Sequence, residues 1–472
     1  MDPEPIKNLL LITVDCLRST PLAGYAAENL FPPGMQALAD RGVRFDNALS
    51  LGGGTPEAFP SILKSCSPPP IHPQQDPDAY RRFVSEGPSL PEIMHRAGFN
   101  TAAFHSNPWL SRWYGYGKGF EHFNDSFSPG EANPVSSMGH IVNRIKPAIP
   151  QSWLFLSAYD VWQAMADPPY TRAEVETELA FKYASQNRNM RQFIWIHYMD
   201  CHQPYSFRLW TTSQNERTRL LDYARIITKL RRNLALSPEG RASLALYYLL
   251  ALRRVAAQID LLLSRFEKLG LLEETLVVLT GDHGEAFGEH EAYGHGFVDH
   301  EVLTVPLVFS HKTLDQGLVS HEPVSNADIL PTVLDLLHID SKVELVGTSL
   351  TSLLRKRSTH LSQDRTFFSV AYTPPRREAR YAIQRGGWKV KRLITFPKPG
   401  SSGLVAYDEL FNVIEDKSET KNVKDEEPEI YRGLEEDLEK HLRPTDKSWG
   451  AERTSGEDMA AVEERLRRLG YL

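Results

Sequence analysis

The chain has 472 residues, of which 41% are hydrophobic and 24% are charged, and its formal net charge is −7. This length exceeds one small domain and leaves room for a large core with an appendage, and the composition is typical of a soluble globular protein. The acidic balance argues against general binding to nucleic acid or to anionic membranes.

Predicted strands alternate with predicted helices along the first 360 residues, which indicates an α/β domain with a mostly parallel sheet. Apolar, β-branched runs predict strands, in chain order, at residues 9–15, 100–104, 193–198, 276–280 and 305–309. Helical spacing predicts helices at residues 35–41, 55–64, 89–98, 244–269 and 328–337. In the second of these helices, Thr55 is the expected N-cap and Pro56 the first helical residue.

Two stretches interrupt this pattern, and the character of the chain changes near its end. Residues 124–190 and 206–243 are expected to be insertions or a lid, the first of irregular structure. After about residue 360, two short strands flank Gly386 and Gly387, which predicts a hairpin, and charged helical sequence follows. We therefore expect a catalytic α/β domain over residues 1–360 and a smaller α+β subdomain over residues 361–472.

Three of the predicted strands end in acids, at Asp15, at Asp200 and at the pair Asp282 and His283. Open α/β sheets place ligands at the carboxyl ends of their strands, so these side chains are expected to share one site. Carboxylate and imidazole are good ligands for a divalent metal. The glycines that bracket the Asp-His pair are expected to let the backbone turn sharply there.

Thr55 follows three glycines and opens a predicted helix. A helix N-terminus has free N–H groups and a positive dipole end, which suit an anionic substrate. A hydroxyl there is placed to bind a metal, lose its proton and attack phosphorus or sulfur. His202 and His295 are candidates to bind a non-bridging oxygen or to protonate a leaving oxygen.

The cysteine content and the N-terminal sequence indicate in which cellular compartment the protein is expected. Three cysteines, Cys16, Cys66 and Cys201, do not form a disulfide framework. The N-terminal residues lack a cationic stretch followed by a long apolar run, and no apolar run approaches the roughly 20 residues of a membrane helix. We therefore expect a cytoplasmic protein without an integral membrane segment.

An ordered set of segments resembles the sulfatase family of the alkaline phosphatase superfamily. The matching segments are residues 11–18, 193–205 (ending Asp-x-His-x-Pro-Tyr), 280–290, 306–308, 328–332 and 411–422. The resemblance implies an alkaline-phosphatase-like mixed, mostly parallel sheet flanked by helices, with a smaller C-terminal antiparallel sheet. It implies a divalent metal held by Asp15, Asp282 and His283, with Thr55 as fourth ligand and nucleophile.

The resemblance also supplies candidate substrate contacts. It suggests His202 and His295 as contacts to the oxyanion or the leaving group. Arg18, Asn107 and Asp200, which lie in or near the matching segments, are further candidates. The family's Gly-Lys-x-His segment is not found, and Asn107 lies near its place.

The departures from the family pattern concern the nucleophile. Sulfatases proper oxidise a Cys or Ser to formylglycine within Cys/Ser-x-Pro-x-Arg. Here Thr55 holds that position, Glu57 and Phe59 replace the Pro and Arg, and no formylglycine is expected. Cys66 begins a second Cys-x-Pro, but a proline replaces its Arg and the proline run cannot form the following helix.

These departures determine which metal and which type of ester we predict. Cys16 replaces the family's second Asp, so we favour Mn²⁺, Zn²⁺ or Mg²⁺, with Ca²⁺ as the alternative. A formylglycine hydrate releases sulfate by elimination, whereas a threonine ester needs a second displacement, as in the family's phosphatases, phosphodiesterases and phosphoglycerol transferases. We predict a metal-dependent hydrolase of phosphate monoesters, phosphate diesters or phosphonate esters.

Three alternatives stay open: a sulfuric ester hydrolase, a phospho-group transferase to a sugar or lipid, and a non-catalytic binding homologue. The expected substrate is a small-molecule, glycan or lipid ester rather than nucleic acid. Homo-oligomer formation is left open.

Overall fold

The structure is a computed structural model. It describes residues 6–19, 32–126, 169–205, 214–232, 234–358, 360–361, 365–397, 403–442 and 457–469. The strands are β1 (Asn8–Val14), β2 (Gly42–Leu49), β3 (Asn100–Phe104), β4 (His122–Asn124), β5 (Gln192–Tyr198), β6 (Thr275–Gly281), β7 (Ala286–Phe287), β8 (Tyr293–Gly294), β9 (Thr304–Ser310), β10 (Leu318–Ser320), β11 (Val324–Ser325), β12 (Thr366–Thr373), β13 (Glu378–Arg385), β14 (Trp388–Thr395) and β15 (Leu404–Asn412). The α-helices are α1 (Pro33–Asp40), α2 (Thr55–Lys64), α3 (Pro77–Ser85), α4 (Leu90–Arg96), α5 (Ala173–Gln186), α6 (Gln214–Arg231), α7 (Pro238–Lys268), α8 (His300–Leu303), α9 (Ile329–Leu336), α10 (Thr351–Leu354), α11 (Pro428–Leu442) and α12 (Glu457–Leu469).

The large sheet has the strand order β10-β2-β9-β6-β1-β5-β3-β4, and β11 also pairs with β2. β1 runs parallel to both β5 and β6, and β3 runs parallel to β5 and β4. Strand β9 is antiparallel to its neighbours β2 and β6. The predicted mixed, mostly parallel sheet flanked by helices is thus confirmed.

The central strand β1 is buried along its whole length because both faces of the sheet are covered. Leu10, Ile12 and Val14 belong to the core that includes α5 and α7. Leu9 and Leu11 point to the other face, where the core includes α2 and α9. This two-sided burial explains why the strand is a continuous apolar run.

Strand β9 contains Pro306 although it lies inside the sheet. Val305 pairs with Ala48 and Leu307 pairs with Phe45, so β2 bulges where Pro306 passes. The bulge interrupts the ladder at the residue that has no N–H to donate.

Helices α5 and α7 differ from the predictions. The irregular structure expected over 124–190 is wrong for helix α5, while residues 127–168 lie outside the described residues. Helix α5 buries alanine, threonine and Glu176 rather than large apolar residues, so its apolar periodicity is weak. Helix α7 starts at Pro238 instead of residue 244, and the Ser237 hydroxyl caps it by accepting from the Gly240 amide at 3.2 Å.

The C-terminal region forms a second sheet, β12-β13-β14-β15, which is antiparallel and packs against α11. The predicted hairpin is its β13–β14 pair. The last helix, α12, instead buries Val462 and Leu466 in the core of the large sheet. The domain boundary near residue 360 stays a prediction. Among the helices that the structure describes, none has the length and apolar character needed to cross a membrane.

Candidate active site

Strand pairing brings two acids together at the carboxyl edge of the sheet. Val14 at the end of β1 pairs with Gly281 at the end of β6, so Asp15 and Asp282 follow side by side. Both carboxylates are fully buried. Gly284 follows them without a positive φ, and a Cβ there would meet the Glu301 carbonyl oxygen at 2.1 Å. The glycine is thus needed for close approach rather than for the sharp turn that the sequence suggested.

Thr55 lies at the first position of α2, with Gly54 as the N-cap, so the predicted capping role of Thr55 is wrong. Its hydroxyl instead points to the acids. It donates to Asp282 Oδ2 at 3.0 Å and lies 3.4 Å from Asp15 Oδ2. Asn107 Nδ2 donates to Thr55 Oγ1 at 3.3 Å and to Asp15 Oδ2 at 2.9 Å.

The first turn of α2 has fewer free donors than the sequence suggested. Pro56 has no N–H, and the amides of Glu57 and Ala58 donate to the Gly54 carbonyl at 3.2 and 3.0 Å. The Glu57 carboxyl is buried, which raises its pKa to about 7, and it accepts from the Tyr372 amide at 3.4 Å. Recognition of an anion therefore depends mainly on other groups of the site.

His283 faces both acids. Its Nε2 lies 3.8 Å from Asp15 Oδ1 and 3.6 Å from Asp282 Oδ2. Its Nδ1 lies 2.9 Å from the Gly284 carbonyl oxygen. A carbonyl only accepts, so the proton of the neutral ring is assigned to Nδ1 and the Nε2 lone pair faces the carboxylates.

This arrangement fits a divalent cation. His283 Nε2 is buried and has no hydrogen-bond partner among the described residues. An acceptor that faces two carboxylates leaves lone pairs that a cation satisfies, and the Nδ1–H···O=C bond is the usual support of a metal-binding histidine. The donor set of Asp15, Asp282, His283 and Thr55 suits Mn²⁺, Zn²⁺ or Mg²⁺.

The two acids differ in proton affinity. Burial raises the pKa of Asp282, and the adjacent Asp15 charge raises it further. Burial also acts to raise the pKa of Asp15, but the hydrogen bond with His197 and the electrostatic interaction with the nearby imidazoles hold it well below its usual range. Asp282 is therefore the better proton acceptor of the pair.

A small hairpin positions His295. Ala286 of β7 pairs with Gly294 of β8, so Glu285 and His295 lie opposite each other at its base. His295 Nδ1 lies 2.9 Å from Glu285 Oε2. Burial lowers the pKa of His295, but the charge and hydrogen bond of Glu285, together with the charges of Asp15 and Asp282, outweigh burial and raise it to about 9.

The His295 loop is tied to the turn that carries Thr55. The Gly296 amide donates to the Gly53 carbonyl at 2.7 Å. A Cβ on Gly53 would lie 2.1 Å from the Phe297 carbonyl oxygen, so only glycine allows this approach. The imidazole of His295 consequently lies beside His283, with ring centroids 4.6 Å apart.

His202 completes a cluster of imidazoles. Its ring centroid is 5.1 Å from that of His295, and its Nδ1 bonds the Gln203 carbonyl. Burial lowers the pKa of His202. The site thus pairs a histidine whose pKa is raised, His295, with one whose pKa is lowered, His202.

Two residues that were predicted to contact the substrate, Arg18 and Asp200, bond to other parts of the protein. Arg18 is buried and donates to the Glu285 carbonyl at 2.8 Å and to Glu289 Oε1 at 3.0 Å, so it supports the hairpin. Asp200 Oδ2 accepts from the Ala173 amide at 2.9 Å, at the start of α5. Neither of these two side chains is directed at the Thr55 hydroxyl.

The sequence reasoning missed His197. It pairs with Thr13 in the β1–β5 register, and Thr13 shares a face with Asp15 two residues on. His197 Nε2 lies 3.4 Å from Asp15 Oδ2, and Nδ1 lies 3.0 Å from Thr13 Oγ1, which accepts from Trp195 Nε1 at 2.9 Å. In-register pairing of two parallel strands is the signal that would have found it.

The alternative nucleophile, Cys66, lies away from this cluster. It follows the C-cap of α2, at the end of the helix opposite Thr55, and its thiol donates to the Pro60 carbonyl at 3.4 Å. The structure therefore favours Thr55.

Comparison with known proteins identifies the family of the chain. A family model described as "Sulfatase" matches residues 7–339, more than two thirds of the chain, and "N-sulphoglucosamine sulphohydrolase, C-terminal" matches residues 288–447. Arylsulfatase K of Danio rerio is 28% identical over 225 residues, covering 47% of this chain and 41% of the relative. The chain thus spans less than half of that relative's length.

Solved structures share the fold. One, described as in complex with its substrate D-glucosamine-2-N,6-O-disulfate, has a TM-score of 0.65 at 17% identity and covers 92% of this chain and 97% of that one. The phosphonate monoester hydrolase of Agrobacterium radiobacter has a TM-score of 0.63 at 16% identity, covering 93% and 95%.

Proposed function

This chain belongs to the sulfatase family, and we propose that it hydrolyses phosphate or phosphonate esters through a covalent intermediate on Thr55. The proposal includes one divalent metal held by Asp15, Asp282 and His283. The observation that carries it is the Thr55 hydroxyl, which begins α2 and donates to Asp282 Oδ2 at 3.0 Å.

The identity of the nucleophile favours phosphorus over sulfur. A formylglycine hydrate releases its sulfate by elimination to the aldehyde, and threonine has no second hydroxyl on that carbon. Its ester is released only by a second displacement at the central atom. Forming and hydrolysing a threonine ester of this kind needs an activated hydroxyl, an attacking water and groups that stabilise the charged oxygens of the transferred group.

The side chains divide the work. Asp282 accepts the proton of the Thr55 hydroxyl, and Asn107 donates to Thr55 Oγ1 at 3.3 Å and so orients it. Glu285 keeps His295 protonated, which supplies positive charge and a proton for the leaving oxygen. His202, whose ring lies beside that of His295, helps to bind the same leaving oxygen. A bound divalent ion supplies Lewis-acid charge beside this hydroxyl.

A second candidate is a sulfuric ester hydrolase that uses unmodified threonine. It is favoured by the matching family model and by the curated relatives that are named as sulfatases. For either candidate we propose a small-molecule, glycan or lipid ester as the substrate.

The test compares turnover of para-nitrophenyl sulfate, para-nitrophenyl phosphate, bis-para-nitrophenyl phosphate and a para-nitrophenyl phosphonate by the metal-loaded protein. We expect turnover of the phosphorus esters, with kcat/KM reduced about a thousandfold or more in Thr55→Val. Thr55→Ser should retain a nucleophile, and Thr332→Val removes a comparably buried hydroxyl of α9 as the control.

Mass spectrometry of a quenched reaction should find the phosphoryl group on the peptide that contains Thr55. Turnover of the sulfate alone would contradict the proposal and support the second candidate.

A further inference from the structure

Cys16 has an unusual backbone position beside the metal-ligand candidates. It follows Asp15 directly, is fully buried, and has a φ of 58°. This left-handed conformation strains the backbone of a non-glycine residue. Two bonds hold it: the Cys16 amide donates to Asp282 Oδ1 at 3.3 Å, and the Cys16 carbonyl accepts from the Tyr248 hydroxyl at 3.0 Å.

The strained backbone directs the thiol into the cluster. Cys16 Sγ lies 3.0 Å from Asp15 Oδ1 and 3.7 Å from His295 Nδ1. Ligand atoms of Cys16, His283 and His295 lie within 4.8 Å of one another, and those of Asp15, Cys16 and His202 do so as well.

The separations resemble the edges of a tetrahedral metal site. Asp15 Oδ1 is 3.0 Å from Cys16 Sγ and 3.8 Å from His283 Nε2, which is 3.6 Å from Asp282 Oδ2. Zinc bonds of about 2.0–2.3 Å give tetrahedral edges of roughly 3.3–3.8 Å. Three of the six edges that these four donors define therefore lie close to tetrahedral values.

His283 supplies an independent indication that a cation belongs among these atoms. Its Nε2 is buried, faces both carboxylates, and has no hydrogen-bond partner among the described residues. A Cys16 thiol that only donated to Asp15 would leave this nitrogen unsatisfied.

We propose that Cys16 is a thiolate ligand of the same divalent cation as Asp15, Asp282 and His283, and that it makes the centre select Zn²⁺ over Ca²⁺ and Mg²⁺. The inference rests on the metal centre of the proposed function and specifies its cation. Thiolate is a soft ligand that favours zinc, whereas calcium takes oxygen ligands. Binding releases the thiol proton to solvent.

The test is a cobalt titration of the full chain after removal of metal with a chelator. We expect bound Co²⁺ to show thiolate-to-cobalt charge-transfer absorption in the near ultraviolet. Cys66→Ser, which changes a cysteine at the far end of α2, should retain the band, and Cys16→Ser should lose it.

Calorimetry measures whether Co²⁺ binds. It therefore distinguishes a failure of the cysteine inference from a failure of the proposed metal centre. If the chain binds one Co²⁺ without the charge-transfer band, the cysteine inference is wrong and the metal centre stands. If it binds no Co²⁺, both the inference and the metal centre of the proposed function are wrong. The wild-type spectrum decides between these results even if Cys16→Ser does not fold.

Selectivity provides a second readout. Cys16→Asp should bind Zn²⁺ at least about tenfold more weakly and Ca²⁺ more tightly, because an oxygen donor replaces sulfur. Unchanged relative affinities, with thermal unfolding showing an intact fold, would overturn the proposed role of Cys16 in selecting the cation.

Discussion

Replacing Asp282 by asparagine should stabilise the metal-free protein while abolishing its response to metal. Asp15 and Asp282 are fully buried, and each places a carboxylate oxygen within 3.4 Å of the same Thr55 hydroxyl oxygen. Without a cation, two negative charges in this position repel each other. Asp282→Asn removes one charge and keeps the shape of the side chain.

The geometry sets the size of the effect. The two carboxylate oxygens are no more than about 6 Å apart, where two unit charges repel by about 3 kcal/mol at an effective dielectric constant of 20. The variant loses the charge-assisted bond from Thr55, which offsets about 1 kcal/mol. We expect a net stabilisation of about 2 kcal/mol, seen as a rise of a few degrees in melting temperature in the presence of a chelator.

Thermal unfolding with and without added Zn²⁺ or Mn²⁺ tests this expectation. Metal should raise the melting temperature of the wild type and leave that of Asp282→Asn almost unchanged. Asp200→Asn alters another buried acid, outside the Thr55 cluster, and should keep the metal response. An Asp282→Asn variant that is less stable than wild type in chelator, or that gains as much from metal, would refute the electrostatic argument.

Three further predictions concern side chains around the site and in the core. Glu285→Gln removes the largest of the charges that together raise the pKa of His295 to about 9, so the alkaline loss of kcat/KM should move to lower pH in its pH profile. Burial raises the pKa of Glu176 well above its usual value, so the folded state holds a proton that the unfolded chain releases above about pH 4.5. Wild-type stability should therefore fall as pH rises above that value, and urea unfolding of Glu176→Gln should show a smaller fall. Phe59→Ala, which removes a buried ring whose centroid is 5.0 Å from that of His197, should cost about 3–5 kcal/mol of stability in the same assay.

The parts of the fold that follow from local sequence were predictable. The strand ending at Asp15 and the helix beginning at Thr55 are marked by continuous apolar burial and by a Gly-Thr-Pro start. Helix α5 was not predictable in this way, because its buried face consists of small and polar side chains. Its stability comes from packing against α7 and the sheet, which sequence periodicity does not report.

The candidate site was predictable where each residue follows a strand. Asp15, Asp282 and His283 lie together because β1 and β6 are parallel neighbours in register. The same reasoning placed Asp200 in the site, yet its carboxylate caps α5 instead. His197 escaped notice because it lies inside a strand, and only the register of that strand with β1 places it beside Asp15.

The nucleophile and the proposed thiolate ligand have a joint consequence for substrate charge. Asp15, Asp282 and the Cys16 thiolate carry three negative charges around a doubly positive cation, so the centre keeps one net negative charge. Glu285 balances the charge of His295, which leaves no surplus cation from that pair. A dianionic phosphate monoester is then disfavoured relative to an ester with a single negative charge. Together, the two proposals therefore favour phosphate diesters and phosphonate monoesters within the substrate class inferred from Thr55.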